Sequence, residues 1–217
     1  MTFRTELENI SLSIYPKNKT LNWSGTDDEK TWQYHIRKHP LNSHLEFYKN
    51  NPIKYSFNNY GYRTPYNFNK GDKVNIYLGC SYTVGVGLNL EDTWSYDLHK
   101  SLKSDAEYVN LSQGGQGIEN QFRHFYYWKD YFQIENVFHY QPLYAREEFF
   151  TPYGPESILI PNENHSKYIK NSIDKKFLVT TLGSDIHTSR KYITNVLAIQ
   201  NLVEKLEGQN CSENILN

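Results

Sequence analysis

Cysteine is scarce in this chain of 217 residues: Cys80 and Cys211 are the only two, too few for a disulfide framework. No apolar run approaches the roughly 20 residues of a membrane span. Charge of one sign is missing as well. Lys and Arg number 23 against 24 Asp and Glu, a net charge of -1, so nothing electrostatic argues for nucleic acid. The opening Met1-Thr2-Phe3-Arg4-Thr5-Glu6 has neither the charged start nor the apolar middle of a signal peptide. Internal repeats and low-complexity linkers are absent. There is no phosphate-binding G-x-x-x-x-G-K-[ST] and no G-x-G-x-x-G with an acidic ribose partner. His35, His39 and His44 lack the Cys or carboxylate pattern of a metal site. These absences predict a cytoplasmic protein in a reduced compartment, with no membrane or nucleic-acid partner, no cofactor and no metal.

What the chain does contain is an alternation of elements. A chain this long can bury a proper core, and one α/β domain is the expected count. Residues 1–50 are polar, aromatic and weakly periodic, and read as an arm or small subdomain before an α/β domain over 51–217. Asp27 or Asp28 is placed to cap a helix running to Lys38, which Pro40 ends. Ile53 to Phe57 alternates like a short strand, and Asn58-Asn59-Tyr60-Gly61 is a turn signal. A β-α-β-α-β run follows. Its strands are predicted at Val74–Leu78, Glu107–Leu111 and Asn136–Tyr140. The helix over Asp92–Lys103 has Trp94, Leu98 and Leu102 as its apolar face. The helix over Ile118–Phe132 places Ile118, Phe122, Phe125 or Tyr126, and Lys129 on successive turns, and its aromatics predict cover on more than one side. Such alternation implies a parallel sheet with right-handed crossovers.

After Pro142 the pattern weakens. Tyr153-Gly154-Pro155 reads as loop punctuation, and Ile158-Leu159-Ile160 as a small strand. Thr188 to Glu207 is the clearest helix, with Tyr192, Val196, Ile199, Val203 and Leu206 at four-three spacing and Gly208 placed to stop it.

The most informative stretch is Val74-Asn75-Ile76-Tyr77-Leu78-Gly79-Cys80-Ser81-Tyr82-Thr83-Val84-Gly85-Val86-Gly87. An apolar strand runs into a tight turn carrying one hydroxyl, at the strand end where open parallel sheets bind ligands. A strand, a turn and a helix in this order can expose a nucleophile. The plainer reading is a βα turn whose serine caps the helix. Cys80 beside it reads as a small buried residue and not as a reactive thiol.

Three further segments accompany it: Asn58-Asn59-Tyr60-Gly61-Tyr62-Arg63-Thr64, Glu91-Asp92-Thr93-Trp94, and Tyr108-Val109-Asn110-Leu111-Ser112-Gln113-Gly114-Gly115-Gln116-Gly117. Together they resemble the SGNH (GDSL-like) hydrolases, in particular divergent members from bacterial and phage genomes, with Gly-Cys-Ser in place of Gly-Asp-Ser. The resemblance covers roughly Pro52 to Phe150. It implies a three-layer α/β/α, flavodoxin-like fold and a serine esterase or deacetylase acting on a small-molecule or carbohydrate ester.

Carried over residue by residue, the resemblance makes Ser81 the nucleophile and its own N–H one oxyanion donor. Gly115 is the second donor, with Gly114 the close alternative. The family's G-x-N-D does not follow the third strand here. Gln141 stands at a similar place and can offer an amide N–H, or can simply be a polar residue ending a strand. Arg146, near Glu147 and Glu148, reads as a solvated pair or as an anion contact at a cleft.

For the base, Ser184-Asp185-Ile186-His187 is the string comparable to the family's Asp-x-x-His, with the acid two residues before the histidine instead of three. A second alignment puts Ile193 to Asn201 on the helix before a missing strand, so that the chain ends ahead of the histidine block. The other histidines carry weaker expectations: His139 a satisfied core or edge group, His99 and His124 at the surface of helices, His165 in a polar loop. Two functions therefore stand side by side. One is an active hydrolase using Ser81, His187 and Asp185. The other is an inactive SGNH-like domain kept for binding or as a structural, virion-associated part of a phage. A missing last strand also leaves a sheet edge exposed, which invites self-association.

Overall fold

The computed structural model describes residues 13, 15–22, 29–39, 51–142, 146–151, 154–159 and 185–215. In chain order these form β1 (Lys19–Asn22), α1 (Glu29–Lys38), β2 (Lys54–Phe57), β3 (Lys73–Leu78), a short α2 (Ser81–Val84), a 3-10 turn (Leu90–Asp92), α3 (Trp94–Leu102), β4 (Glu107–Asn110), α4 (Ile118–Trp128), β5 (Gln133–His139), β6 (Arg146–Thr151), β7 (Gly154–Leu159) and α5 (Asp185–Ile215).

The centre is a parallel three-stranded sheet in the order β4-β3-β5. Five of the six β3 residues are buried, as expected of a parallel strand covered on both faces. Val74, Ile76 and Leu78 point to one face, where they pack with Val109, Leu111, Ile118, Phe125, Trp128 and Ile199. On the other face Tyr77 meets Trp94 and His99 of α3. Glu135 is an extra residue in the β3–β5 pairing, because Val74 pairs with Ile134 but Asn75 with Asn136. Among the described residues, β4 and β5 are the edges of this sheet. Two smaller antiparallel pairs flank it, β1 with β2 and β6 with β7.

Several predicted features hold. β2, β3, β4 and β5 lie where the alternation put them, within a few residues at each end. Residues Ile118, Gln121, His124, Phe125 and Trp128 of α4 are buried, and so are Asn120 and Arg123, so that helix is covered on more than one side. The α5 stripe is real as well: Ile199 is buried, and Tyr192, Val196, Val203 and Leu206 pack against the core.

Others do not hold. The helix face Trp94, Leu98, Leu102 is not what α3 buries. The inward residue is Ser95, whose hydroxyl lies 2.8 Å from Tyr108 Oη and donates to Thr83 O at 3.2 Å. A small side chain lets α3 sit close to the sheet, and Trp94 and Leu102 are left at the rim. Gly208 does not stop α5, which continues to Ile215; a mid-helix glycine costs only about 1 kcal/mol, too little to end a helix by itself. Of the punctuation at Tyr153-Gly154-Pro155, Gly154 and Pro155 open β7 and pair with Thr151 and Phe150 at the break between β6 and β7, while Tyr153 lies outside the described residues.

His124 is not a surface residue. It is fully buried, with Nδ1 2.8 Å from Tyr62 Oη and Nε2 3.1 Å from Asn120 Nδ2. The Trp128 indole N–H donates to the same Tyr62 oxygen. Burial and the nearby Arg123 charge push the His124 pKa well below its ordinary 6.5. Burial likewise pulls His139 down to about 4.

Both imidazoles are thus neutral in the folded state, whereas the unfolded chain takes up protons below about pH 6.5. Their contribution to stability is present above that pH and is lost as the pH falls toward the folded values. The slope is up to about 1.4 kcal/mol per pH unit for each histidine. Urea unfolding from pH 7 to 4 is expected to show this decline, and His139→Gln is expected to flatten part of it; identical slopes would contradict the assignment.

Candidate functional site

The turn after β3 is shaped by side chains that leave no room for alternatives. A Cβ on Gly79 would run into the Thr83 side chain, and one on Gly85 into the Thr93 methyl. Gly85 has a φ of +75° and closes α2, with the N–H groups of Gly85 and Val86 both donating to Ser81 O at 3.0 Å. Cys80, not Ser81, occupies the cap position, and no side-chain cap bond forms there. Ser81 is therefore the first residue inside α2, half-buried. Its hydroxyl bonds no other described side chain, and its N–H lies where a helix has no internal acceptor for it. A serine recruited only to cap the helix would not look like this. Cys80 is buried, as expected of a small core residue.

The accompanying segments converge on this turn. Asn58 Oδ1 accepts from the N–H groups of Tyr60 and Tyr62, folding the chain so that Arg63 points inward. The buried Arg63 guanidinium donates through Nη1 to Val84 O (2.9 Å) and Gly85 O (2.7 Å), and through Nη2 to Leu88 O (2.7 Å) and Lys54 O (3.2 Å). It also lies 4.2 Å above the Tyr55 ring, a cation–π contact. Asn110 Nδ2 donates to Thr83 O at 2.8 Å. The turn carrying Ser81 is thus clamped from β2 on one side and from β4 on the other.

The glycine loop after β4 is held just as firmly. Leu111 N–H donates to Tyr77 O, which keeps the start of the loop beside β3. Gly114 N–H is taken by the Tyr15 hydroxyl at 3.0 Å, and a Cβ at Gly114 would come within 3.7 Å of Val86 beyond the Ser81 helix. Gly115 has a φ of +81°, is exposed, and has no atom of the described residues within 4 Å of its Cβ position. Of the two glycines left open as oxyanion donor, Gly115 is the one with room for a ligand. Gln116 O accepts from Arg146 Nη1 at 3.1 Å. Arg146 thus braces the loop, where a solvated pair or an anion contact was expected.

Comparisons with protein-family models, with curated proteins and with solved structures found no match. The site is therefore read from its own geometry.

No described imidazole bonds the Ser81 hydroxyl. His124 is engaged by Tyr62 and Asn120, and His139 Nε2 lies 2.6 Å from Gln121 Oε1, a satisfied strand residue as expected. His99 packs among the rings of Tyr77, Tyr96 and Tyr108. Asp185 and His187 open α5, and their side chains lie outside the described residues, as does His165. The early part of α5 is nonetheless docked at the first turn of α4 and at the start of β6. Lys191, one turn beyond His187, lies 2.9 Å from Glu119 Oε1 and donates to Arg146 O at 2.6 Å. Gln141 is exposed and accepts a hydrogen bond from the Tyr192 hydroxyl, so its amide N–H group is the end left to donate. Among the described residues no group of three His, Cys, Asp or Glu side chains could hold a metal ion, and no helix is long and apolar enough to cross a membrane.

Two site residues escaped the sequence reading. Arg63 was visible within its motif but without a role, since nothing local says that it reaches across to Val84 and Leu88. Tyr15 carried no signal at all. Arg63→Lys is expected to lose about 3 kcal/mol in urea unfolding, because an ammonium cannot reproduce the planar fork. Tyr15→Phe is expected to cost only about 1 kcal/mol but to speed amide exchange at Gly114 and Gly115. Unchanged exchange would show that the loop holds itself.

Proposed function

We propose that the chain is a serine hydrolase of SGNH type that cleaves an acyl ester, with Ser81 as its nucleophile. The observation that carries this reading is the placement of Ser81 and Gly115. Each stands beyond the end of one of two adjacent parallel strands, open to a ligand, while the side chains around them serve to hold the two turns. The strand order β4-β3-β5, with the first strand of the run in the middle, is the order a flavodoxin-like sheet begins with. Helices on both faces agree with three layers.

In this mechanism Ser81 Oγ attacks the ester carbonyl. The N–H groups of Ser81 and Gly115 and the Gln141 amide then face the oxygen as it gains charge. Donors fixed beforehand cost no reorganisation at that moment, which is why they matter to rate. His187, with Asp185 as its orienter, takes the serine proton and passes it to the departing alcohol. Water then cleaves the acyl-serine, releasing the acid and restoring the hydroxyl. Anchoring of Lys191 to Glu119, in the first turn of α4 just after the glycine loop, and to Arg146 O supports His187 as the base, because it brings the first turns of α5 toward this end of the sheet.

A second reading, an SGNH-like domain kept for binding or assembly in a phage particle, is favoured by the described histidines: His124 and His139 are bonded to Tyr62 and Gln121, and His99 is packed among the rings of Tyr77, Tyr96 and Tyr108. The packing of α5 beside α4 on one face also suits the alignment in which this helix leads toward a missing strand.

A fluorophosphonate probe separates the two. Labelling of the intact protein that disappears in both Ser81→Ala and His187→Ala supports the hydrolase with its assigned base. Labelling that survives His187→Ala moves the base elsewhere. No labelling of folded protein overturns the hydrolase and leaves the binding module.

A further inference from the structure

Beside Ser81 lies a group of aromatic rings that neither the core nor the mechanism uses. Tyr82, the next residue, is 68% exposed, Tyr140 44% and Trp94 36%. The Tyr82 and Tyr140 ring centres are 6.0 Å apart at 46°, and those of Trp94 and Tyr140 are 6.0 Å apart at 42°. The rings are neighbours, but they are not stacked shut against one another, so their faces remain available. From below they are supported by a buried base. Trp94 contacts Tyr77 edge-on at 6.2 Å, and Tyr77 stacks on Phe138 at 5.0 Å. Tyr140 N–H donates to Leu78 O, which fixes its backbone beside the turn that carries Ser81.

We propose that Tyr82, Trp94 and Tyr140 form a platform for a saccharide ring, placed to present a sugar-borne ester to Ser81. In naming that ring as the carrier of the ester, the proposal rests on Ser81 being the reacting group. A pyranose offers a face of C–H bonds to the negative face of an aromatic ring and hydroxyls around its edge. Glu91 and Asp92 are exposed and stand just before Thr93 and Trp94 in the chain. Carboxylates only accept hydrogen bonds, which suits sugar hydroxyls. The same two charges repel phosphate, and single-stranded nucleic acid needs a positive groove alongside its stacking rings. A lipid chain gains most from enclosure, which rings this open to water do not provide. The exposed tips are phenol hydroxyls and an indole N–H, groups that remain wet while the ring face is covered.

Binding is best measured on Ser81→Ala, so that it does not depend on the nucleophile. The protein is applied to a glycan array, and the best-retained oligosaccharide is titrated by tryptophan fluorescence. Binding weakened about tenfold by Tyr82→Ala and by Tyr140→Ala, and unchanged by Tyr34→Ala at an exposed tyrosine of α1, supports the platform. No retention of any glycan overturns it, as does equal binding by all variants. A concentration-dependent dimer abolished by Tyr82→Ala also overturns it, by showing that a second copy covers the rings. Fluorophosphonate labelling of the unmodified protein reports separately on Ser81. Labelling without glycan binding keeps the hydrolase and removes the platform, and glycan binding without labelling does the reverse.

Discussion

One buried guanidinium holds the parts of this fold together at the place where chemistry is expected. Arg63 reaches the carbonyl oxygens of Lys54, Val84, Gly85 and Leu88 and covers the Tyr55 ring. Taking a charge out of water is costly unless its donors are met. Arginine suits the task because its fork is planar and its hydration weak. Four carbonyls lying side by side are as demanding as the charge, since each needs a donor once buried. The arginine and the turn therefore require each other. Ser81 sits on a rigid turn because that mutual requirement leaves the backbone no other course.

The same economy of contacts recurs nearby. Thr83 lies across Gly79, its carbonyl receives Asn110 and Ser95, and Ser95 also meets Tyr108. Small residues stand where backbones approach, and polar side chains tie one strand end to the next. Below this layer the core is aromatic. Trp128 is ringed by Tyr60, Tyr62, Phe68, Tyr131 and Phe132, several of them edge-on, and the Tyr62 and His124 pair gives the indole and phenol their polar partners. A rigid base of this kind lets loops at the strand ends keep their geometry, as a reactive site or a binding platform requires.

The N-terminal residues are part of this arrangement. β1 pairs with β2, Tyr15 stacks on Phe57 at 4.6 Å, and its hydroxyl takes Gly114 N–H. The fold thus uses one side chain from the weakly patterned start of the chain to hold a glycine loop nearly a hundred residues later. Polar composition hid this role, because a single long-range hydrogen bond leaves no periodicity.

The alternating apolar runs determined on their own that the chain would form a parallel β-α-β-α-β core, because strand and helix periods are local properties. An apolar strand running into a tight turn also singled out Ser81, whereas Gly115, with Gly114 as its alternative, came only from the resemblance to the SGNH hydrolases. Tertiary structure alone decided the rest. It chose Ser95 over Trp94 as the inward face of α3, buried His124, turned Arg146 to the Gln116 carbonyl, and left Gly115 instead of Gly114 exposed. It carried α5 past Gly208 to Ile215. All but the last depend on which distant atom lies opposite, such as a Tyr108 hydroxyl, a Tyr62 phenol, a Gln116 carbonyl or a Tyr15 oxygen, and sequence spacing contains no record of that.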